Sequence, residues 1–358
     1  MTDNLLETII KEKKSEELSR LDAINIVNSL FSDLLDREKD ILSRRFGLKG
    51  EKSETLEKIG QMHKLTRERV RQIEVASLKK IKKLDKLQDS IATLKTVVKD
   101  ILNDHGGLIS REYLLDILTV ICFELNDDNK PNLKQKTISE EEYQRHRLVY
   151  RNHFNFLLSK LMEDDLEFIK DSEHFQPIFK HRESDTTALH DLAQDLLAKV
   201  DNLKKVFTTK ELLDLLKSLD SYNKHQLEAK NKNSSDISSI FESKTFNDEA
   251  DVINQNKILY ALMQSVRNLK QNQYGEWGLA DWPEISPKTV NDKIYLVLKH
   301  SGKPLHFTKI AEEINKMKFD HKIANPATVH NELILDKRYV LVGRGIYALK
   351  DWKNKVKK

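Results

Sequence analysis

Residues 64–83 read KLTRERVRQIEVASLKKIKK, and the fold of the surrounding segment follows from how this stretch is read. Thr66 carries the short hydroxyl that favours a helix start. After it, Val70, Ile73, Ser77, Ile81 and Leu84 fall at steps of three or four, the inward stripe of an amphipathic helix. Eight cations (Lys64, Arg67, Arg69, Arg71, Lys79, Lys80, Lys82 and Lys83) face two anions (Glu68 and Glu74), a local surplus of +6. The whole chain of 358 residues, with 61 Lys+Arg and 57 Asp+Glu, has a net charge of only +4. One element is therefore suited to meet a polyanion, and the rest is nearly balanced.

Upstream, residues 1–35 predict an amphipathic helix with Leu21, Ile24, Ile26, Val27, Leu30, Phe31, Leu34 and Leu35 as its apolar positions. Asp36 is expected to cap a second helix through Ile41, Leu42 and Phe46, which Gly47 ends. A polar loop, Lys49–Glu54, leads to Thr55, the expected cap of a short helix with Leu56, Ile59 and Met62 on one face. His63-Lys64-Leu65 makes the turn into the cationic helix. Two short helices joined by a tight turn form a helix-turn-helix pattern, whose second helix enters a major groove. Arg67 and Arg71 can donate to guanine, Glu68 can accept from cytosine, and Gln72 can pair with adenine. Thr66 opens this helix, and Arg69, Lys79, Lys80, Lys82 and Lys83 are expected near phosphates. The competing reading is a solvated helix face whose Arg and Glu side chains pair with one another. Downstream, Leu84, Leu87, Ile91, Leu94, Val98 and Ile101 either continue the same helix or begin a new one capped at Asp89-Ser90.

Leu35–Leu48 (LDREKDILSRRFGL), Thr55–Gly60 (TLEKIG) and Leu65–Glu74 (LTRERVRQIE) together resemble region 4 of bacterial primary sigma factors, over roughly fifty residues. The resemblance implies promoter −35 recognition and packing on the flap of RNA polymerase. Arg67, Glu68 and Gln72 match the family's base-reading positions, with Arg71 on the same face. Two positions depart from the family pattern: His63-Lys64 in the turn, where a small residue or Gly is usual, and Ala76, where Lys is common.

The C-terminal half contains a repeat. Leu269–Trp282 aligns without gaps on Tyr339–Trp352, with Gly275/Gly345, Leu279/Leu349, Asp281/Asp351 and Trp282/Trp352 at an offset of 70. Phe207-Thr208 matches Phe307-Thr308 at an offset of 100, which assigns the 30-residue difference to the polar stretch Asp220–Asp251, loop-like in composition. Leu108–Leu118 aligns on Val206–Leu216 at an offset of 98 as a fainter third copy. Each copy reads as helix, short extended piece, helix, longer helix and a two-stranded hairpin, the order of a winged helix. Glycines at 343 and 345 permit the last hairpin's turn, and the Asp-Trp ending is expected to lay an indole over the hairpin base. Gly302–Ala311, Pro326–Val329 and Tyr339–Leu349 resemble the HARE-type helix-turn-helix domain of the RNA polymerase delta subunit and of proteins attached to restriction and chromatin systems. Thr328, His330, Asn331 and Arg344 then offer a possible second surface for DNA or a partner.

The expected fold is mainly α: a helix-turn-helix followed by tandem winged-helix domains with small β-hairpin wings. Its boundaries are an N-terminal helix at 1–35, the region 4-like unit at 36–88, a divergent winged-helix-like domain at 89–183, a winged-helix domain at 184–286 with the insertion at 220–251, and a HARE-type domain at 287–358 with a basic tail. Only 10 Gly and 6 Pro argue against turn-rich sandwiches and barrels. The single cysteine, Cys122, excludes a disulfide framework and a Cys-rich zinc site. No P-loop, dinucleotide fingerprint, HExxH or nucleophile elbow occurs, and the histidines lack ligand spacing. The expectation is a non-enzymatic transcription factor with no metal, cofactor or small-molecule substrate. It binds double-stranded DNA and RNA polymerase core, has no membrane segment or secretory signal, and works in the cytoplasm at the nucleoid. About thirty-five residues precede the region 4 pattern, too few for the promoter-melting region of a full sigma factor. The alternatives are a delta-like scaffold on RNA polymerase and a DNA-binding component of a restriction or DNA-processing system.

Overall fold

The structure is a computed structural model that describes residues 20–125, 139–170, 172–225, 236–243, 245–246 and 250–354. It is mainly helical, with three small antiparallel sheets. Contacts gather the described residues into two compact units: those up to Asp191 with those of Asp220–Val266, and those of Leu192–Leu219 with those from Arg267 onward.

In the first unit, α1 spans Ala23–Phe31, capped by Asp22, whose carboxylate accepts from the Ile24 and Asn25 amides. The single helix expected over 1–35 stops here. Ser32 donates its hydroxyl to the Ser29 carbonyl at 2.7 Å and Leu34 bonds back to Phe31, closing a turn. Residues 1–19 of that expectation lie outside the described residues. Helix α2 is Asp36–Phe46, so Asp36 is its first helical residue and not its cap. Leu35 is the extended entry residue, and Glu38 reaches back to the Leu35 amide at 2.9 Å, satisfying one orphan donor. Gly47 ends the helix at φ +66°, and a Cβ there would lie 2.4 Å from the Glu51 carbonyl oxygen, so only glycine fits. Helices α3 (Leu56–His63) and α4 (Arg67–Lys82) follow, and α5 starts afresh at Lys86 and runs to Asp104. The chain breaks at Lys83–Asp85, which replaces both the continuous helix and the cap at Asp89-Ser90. The stripe of Leu87, Ile91, Leu94, Val98 and Ile101 is buried.

Beyond α5 come β1 (Leu108–Ser110), α6 (Arg111–Thr119) with a wider π turn at Val120–Glu124, and α7 (Glu140–Phe156) with another at Leu157–Leu161. Strands β2 (Leu166–Ile169) and β3 (Ile178–His181) complete an antiparallel sheet in the order β1-β3-β2. Helix α8 (Thr187–Leu203) and helix α9 (Thr209–Lys217) lead into the polar stretch. Where a loop is expected at 220–251, the described parts form α10 (Asp220–Lys224), α11 (Ser238–Phe241) and the start of α12 (Ala250–Gln255). Tyr222, Ile237, Ile240 and Phe241 are buried there; these few apolar residues anchor a stretch whose composition is otherwise polar. Residues 226–235, 244 and 247–249 lie outside the described residues.

Helix α13 (Lys257–Ser265) is buried at every position except Gln264. A helix apolar nearly all round must be covered on several sides. In the first unit the Tyr260 ring meets that of Tyr113 at 5.4 Å, the Ser265 carbonyl accepts from the Gln176 amide at 3.0 Å, and Val266 bridges to Phe175. The segment 184–286, expected to be one domain, therefore contributes to both units.

In the second unit, β4 (Leu269–Gln271) and β5 (Trp277–Leu279) form a hairpin. The last module is α14 (Val290–Ser301), β6 (Leu305–His306), α15 (Phe307–Met317), α16 (Pro326–Leu335), β7 (Tyr339–Gly343) and β8 (Ile346–Leu349), with sheet order β6-β8-β7. Its core joins Ile294, Leu298, Ile310, Val329, Leu333 and Tyr347, with Trp352 packed against it. Of the two glycines expected at the wing turn, only Gly345 has positive φ, at +68°. A Cβ on Gly278 would meet the Trp282 ring at 2.9 Å, so this indole lies over the hairpin as expected.

The strand pairing brings the three copies into one register. Ile109 opposes Phe179, Phe207 opposes Trp277, and Leu305 opposes Tyr347. The residue after each first-strand position caps the next helix: Ser110, Thr208 and His306, spaced by 98 residues each. Phe207 thus corresponds to Leu305 and not to Phe307, which corrects the offset of 100 to 98 and the length difference from 30 residues to 28. Hydrogen-bonded caps, which a helix start requires, align the copies better than side-chain identity does. The position of Gly345 in this frame is constrained twice, by its φ and by the His306 ring 2.5 Å from its would-be Cβ. Gly345→Ala should lower stability by about 1–3 kcal/mol, read as a lower urea midpoint by tryptophan fluorescence.

Candidate nucleic-acid interface

Helix α4 owes its start to Thr66, whose hydroxyl accepts from the Arg69 amide at 3.2 Å. The preceding turn is tight because Gly60 lies under it: a Cβ there would stand 2.7 Å from the Leu65 carbonyl oxygen. Lys64 closes α3 in the left-handed region at φ +54°, where the family pattern favours Gly or a small residue. Ile41, Ile59 and Val70 make the buried centre, with Leu56, Leu65 and Ile73 against it. Along α4 the buried positions are Val70, Ser77 and Ile81. At about 100° per residue, Glu68, Arg71, Gln72, Val75 and Lys79 point the other way, and all five are exposed.

Of the nine residues expected to bind DNA, Thr66, Arg67, Glu68, Arg69, Arg71, Gln72, Lys79, Lys80 and Lys83, every one is exposed. They are not equally free. Arg71 is held by Glu68 through two bonds of 2.9 and 2.7 Å, and Arg69 donates to Gln72 at 3.1 Å. The Arg71 guanidinium holds the Glu68 carboxyl below its ordinary range. Lys80 binds both oxygens of Glu38 at 3.0 Å, and Lys82 binds Glu163 at 2.5 Å. Among the described residues, Arg67, Lys79 and Lys83 have no ion-pair partner. Val75, whose apolar side chain carries no charge signal in the sequence, is 52% exposed on this face.

A polar cluster joins α2 to the loop after it and to the end of α3, and it is centred on Asp40. Its carboxylate takes bonds from Arg44 Nε at 2.8 Å, Lys49 Nζ at 3.1 Å and the His63 ring at 3.0 Å. Burial raises the Asp40 carboxyl, but hydrogen bonds from Arg44 and Lys49 outweigh it and hold it at about 2. Arg37 donates to the His63 carbonyl at 3.0 Å, tying α2 to the end of α3. Only the Asp40–Arg44 pair, at i,i+4, was within reach of sequence inspection.

The second expected surface lies on the last module. Thr328 and Asn331 are exposed on α16, and Arg344 is exposed in the wing turn. His330 is half-buried: its ring stacks on Phe307 at 4.5 Å and meets Tyr347 edge-on at 5.8 Å, so it packs the module. No described helix is long and apolar enough to cross a membrane, and among the described residues no cluster of His, Cys, Asp and Glu could hold a metal ion.

Because folding depresses Asp40, its stabilisation is fully present above pH ~4 and is lost as pH falls from ~4 towards 2. Asp40→Asn should remove this acid-labile component and destabilise the unit by about 1–3 kcal/mol at neutral pH, checked by denaturant unfolding of both proteins at pH 7 and pH 3. An unchanged pH profile in the variant would contradict the role given to this carboxylate.

Comparison with known proteins bears on this same segment. Residues 30–83 match the family described as Sigma-70, region 4. The RNA polymerase sigma factor SigA of Microcystis aeruginosa is 40% identical over 72 residues, covering 20% of this chain and 16% of that protein. SigA1 of Synechococcus elongatus is 45% identical over 56 residues, covering 16% and 14%, and SigA of Lactococcus lactis subsp. cremoris is 43% identical over 56 residues, covering 16% and 15%. The chain spans about one sixth of the length of these relatives. No solved structure matches it. The segment built around α2, α3 and α4 is thus a Sigma-70 region 4 domain, and the matches to these sigma factors cover 16–20% of the chain.

Proposed function

We propose that the chain is a non-enzymatic, sequence-specific DNA-binding protein of transcription initiation. Helix α4 enters the major groove of a promoter-like duplex. Arg67 and Arg71 read guanine, Glu68 reads cytosine, Gln72 reads adenine, and Val75 meets a thymine methyl. Lys79 and Lys83 contact phosphates, with Arg69 beside them. RNA polymerase core is the expected partner, because the relatives that share this domain are RNA polymerase sigma factors by name. The repeated modules act as winged helices, the last of HARE type, and add contacts to DNA or polymerase. The chain works in the cytoplasm, at the nucleoid.

The observation that carries this reading is the phase of α4: Val70, Ser77 and Ile81 are buried while every expected base-reading residue is exposed. Arg67→Ala should cost about 1–3 kcal/mol on the preferred site and relax specificity there, whereas Lys79→Ala should weaken all duplexes alike and reduce the salt slope by about 1. Selection of bound sites from a random pool followed by mobility-shift titration checks both. Equal losses on every duplex for the two variants would exclude base reading.

A polymerase-bound scaffold is the second reading, favoured by one observation. Pro326–Leu335 contains no Lys or Arg, and Ile334, Leu335, Leu341 and Val342 are 61%, 78%, 59% and 51% exposed, a surface better matched to protein than to phosphate. Pull-down of polymerase core by the full chain and by a Leu335→Asp, Leu341→Asp variant separates the roles: retention by both assigns core binding elsewhere.

A further inference from the structure

The three repeats place a left-handed residue just before the first strand, at positions 106, 204 and 302, again 98 apart. In the first and last copies it is glycine, Gly106 at φ +80° and Gly302 at φ +63°; in the middle copy it is Lys204 at φ +48°. A lysine at a position that favours glycine carries backbone strain. The Lys204 amide donates to the Val200 carbonyl at 3.1 Å, closing α8 as Lys64 closes α3, while among the described residues its ammonium has no ion-pair partner.

Lys204 lines a cavity of about 590 Å³ in the second unit, together with Lys205, Lys299 and Trp282. Lys205 is already engaged, 3.7 Å from Glu211 and 4.8 Å above the Phe207 ring. Lys299 is half-buried and, like Lys204, has no ion-pair partner among the described residues. Asp201 and Glu284 share the lining, so with Lys205 held by Glu211 the remaining charges balance. A flat indole and two ammonium groups free of ion pairs match one nucleotide of a strand, with its π face and its phosphodiester. An intact duplex keeps its bases stacked and cannot present one to the indole.

We propose that this cavity binds single-stranded nucleic acid, one nucleotide stacking on Trp282 while Lys204 and Lys299 hold its phosphate. Sequence-tolerant stacking with cationic backbone contacts is the general mode of such sites. The site is separate from α4 and does not depend on the reading given for that helix.

Lys204→Gly makes the test selective. It restores the residue that the other two copies use, so it should leave the chain at least as stable while removing a phosphate contact. The full chain is titrated with a fluorescein-labelled twelve-residue oligo-dT and followed by anisotropy. Lys204→Gly with Lys299→Gln should weaken binding at least tenfold and lower the salt slope by about 0.7, the value for one phosphate contact on a single strand. Trp282→Phe should retain most of the affinity, and Trp282→Ala should lose about 5- to 100-fold. Unchanged affinity in a folded Lys204→Gly, Lys299→Gln variant overturns the proposal. So does equal competition by a duplex of the same length, or capture of thymidine monophosphate with no binding of the strand.

Discussion

The region 4 domain depends on one close approach, the Gly60 α-carbon against the Leu65 carbonyl. With 2.7 Å between a would-be Cβ and that oxygen, any side chain at 60 would push α3 and α4 apart. The approach lets Ile41, Ile59 and Val70 meet as a closed apolar centre. Once Val70 is buried, helix geometry sets the rest of α4: Ser77 and Ile81 turn inward, and Glu68, Arg71, Gln72 and Lys79 turn to solvent. A core this small cannot rotate the helix without exposing Val70, at about 1.5–3 kcal/mol, or burying a charge, and either is a large share of the ~5–15 kcal/mol separating native from unfolded chains.

The charges on α4 run against what the helix alone would choose. A helix start favours acids and a helix end favours cations, through the macrodipole. Lys79, Lys80 and Lys82 at the end obey this rule, but Arg67, Arg69 and Arg71 crowd the start beside a single acid, Glu68. The structure tempers the conflict by clamping Arg71 to Glu68 and Arg69 to Gln72. Further along, Glu38 and Glu163 take up Lys80 and Lys82, so the phosphate-directed charge narrows to Lys79 and Lys83. Local preferences are overridden in this way where a ligand supplies the missing partner. On the reading proposed for α4, the clamped Glu68–Arg71 pair must open, or bind as a unit, for bases to replace each carboxylate and guanidinium as partners.

Much of the first domain was legible in the sequence because it is written in local chemistry. Thr55, Thr66 and Gly47 mark helix ends by their own backbone bonds, and the three-and-four spacing of Val70, Ser77 and Ile81 marks the buried face. What escaped notice is set by residues distant in sequence. Glu38 serves the Leu35 amide and Lys80 at once, and Asp40 gathers Arg44, Lys49 and His63. No periodicity announces such pairings. The same limit holds at 220–251, where a polar composition conceals the buried Ile240 and Phe241, and at α13, whose Tyr260 packs on Tyr113 of the first copy.

The repeats extend this distinction between scaffold and surface. What recurs at intervals of 98 is backbone bookkeeping in the structural sense: an extended residue opposed to an aromatic (Phe179, Trp277, Tyr347), followed by a capping side chain (Ser110, Thr208, His306). These elements build the strand-to-helix corner and tolerate little change. The helix that precedes each hairpin is under no such constraint, and it has diverged. In the middle copy, α13 is buried almost all round, so it has no outer face with which to enter a groove. In the last copy, α16 is exposed but carries no lysine or arginine. Duplicating a corner thus preserves a shape without preserving a charge pattern, and positive charge is concentrated at residues 64–83, whose surplus of +6 exceeds the +4 of the whole chain.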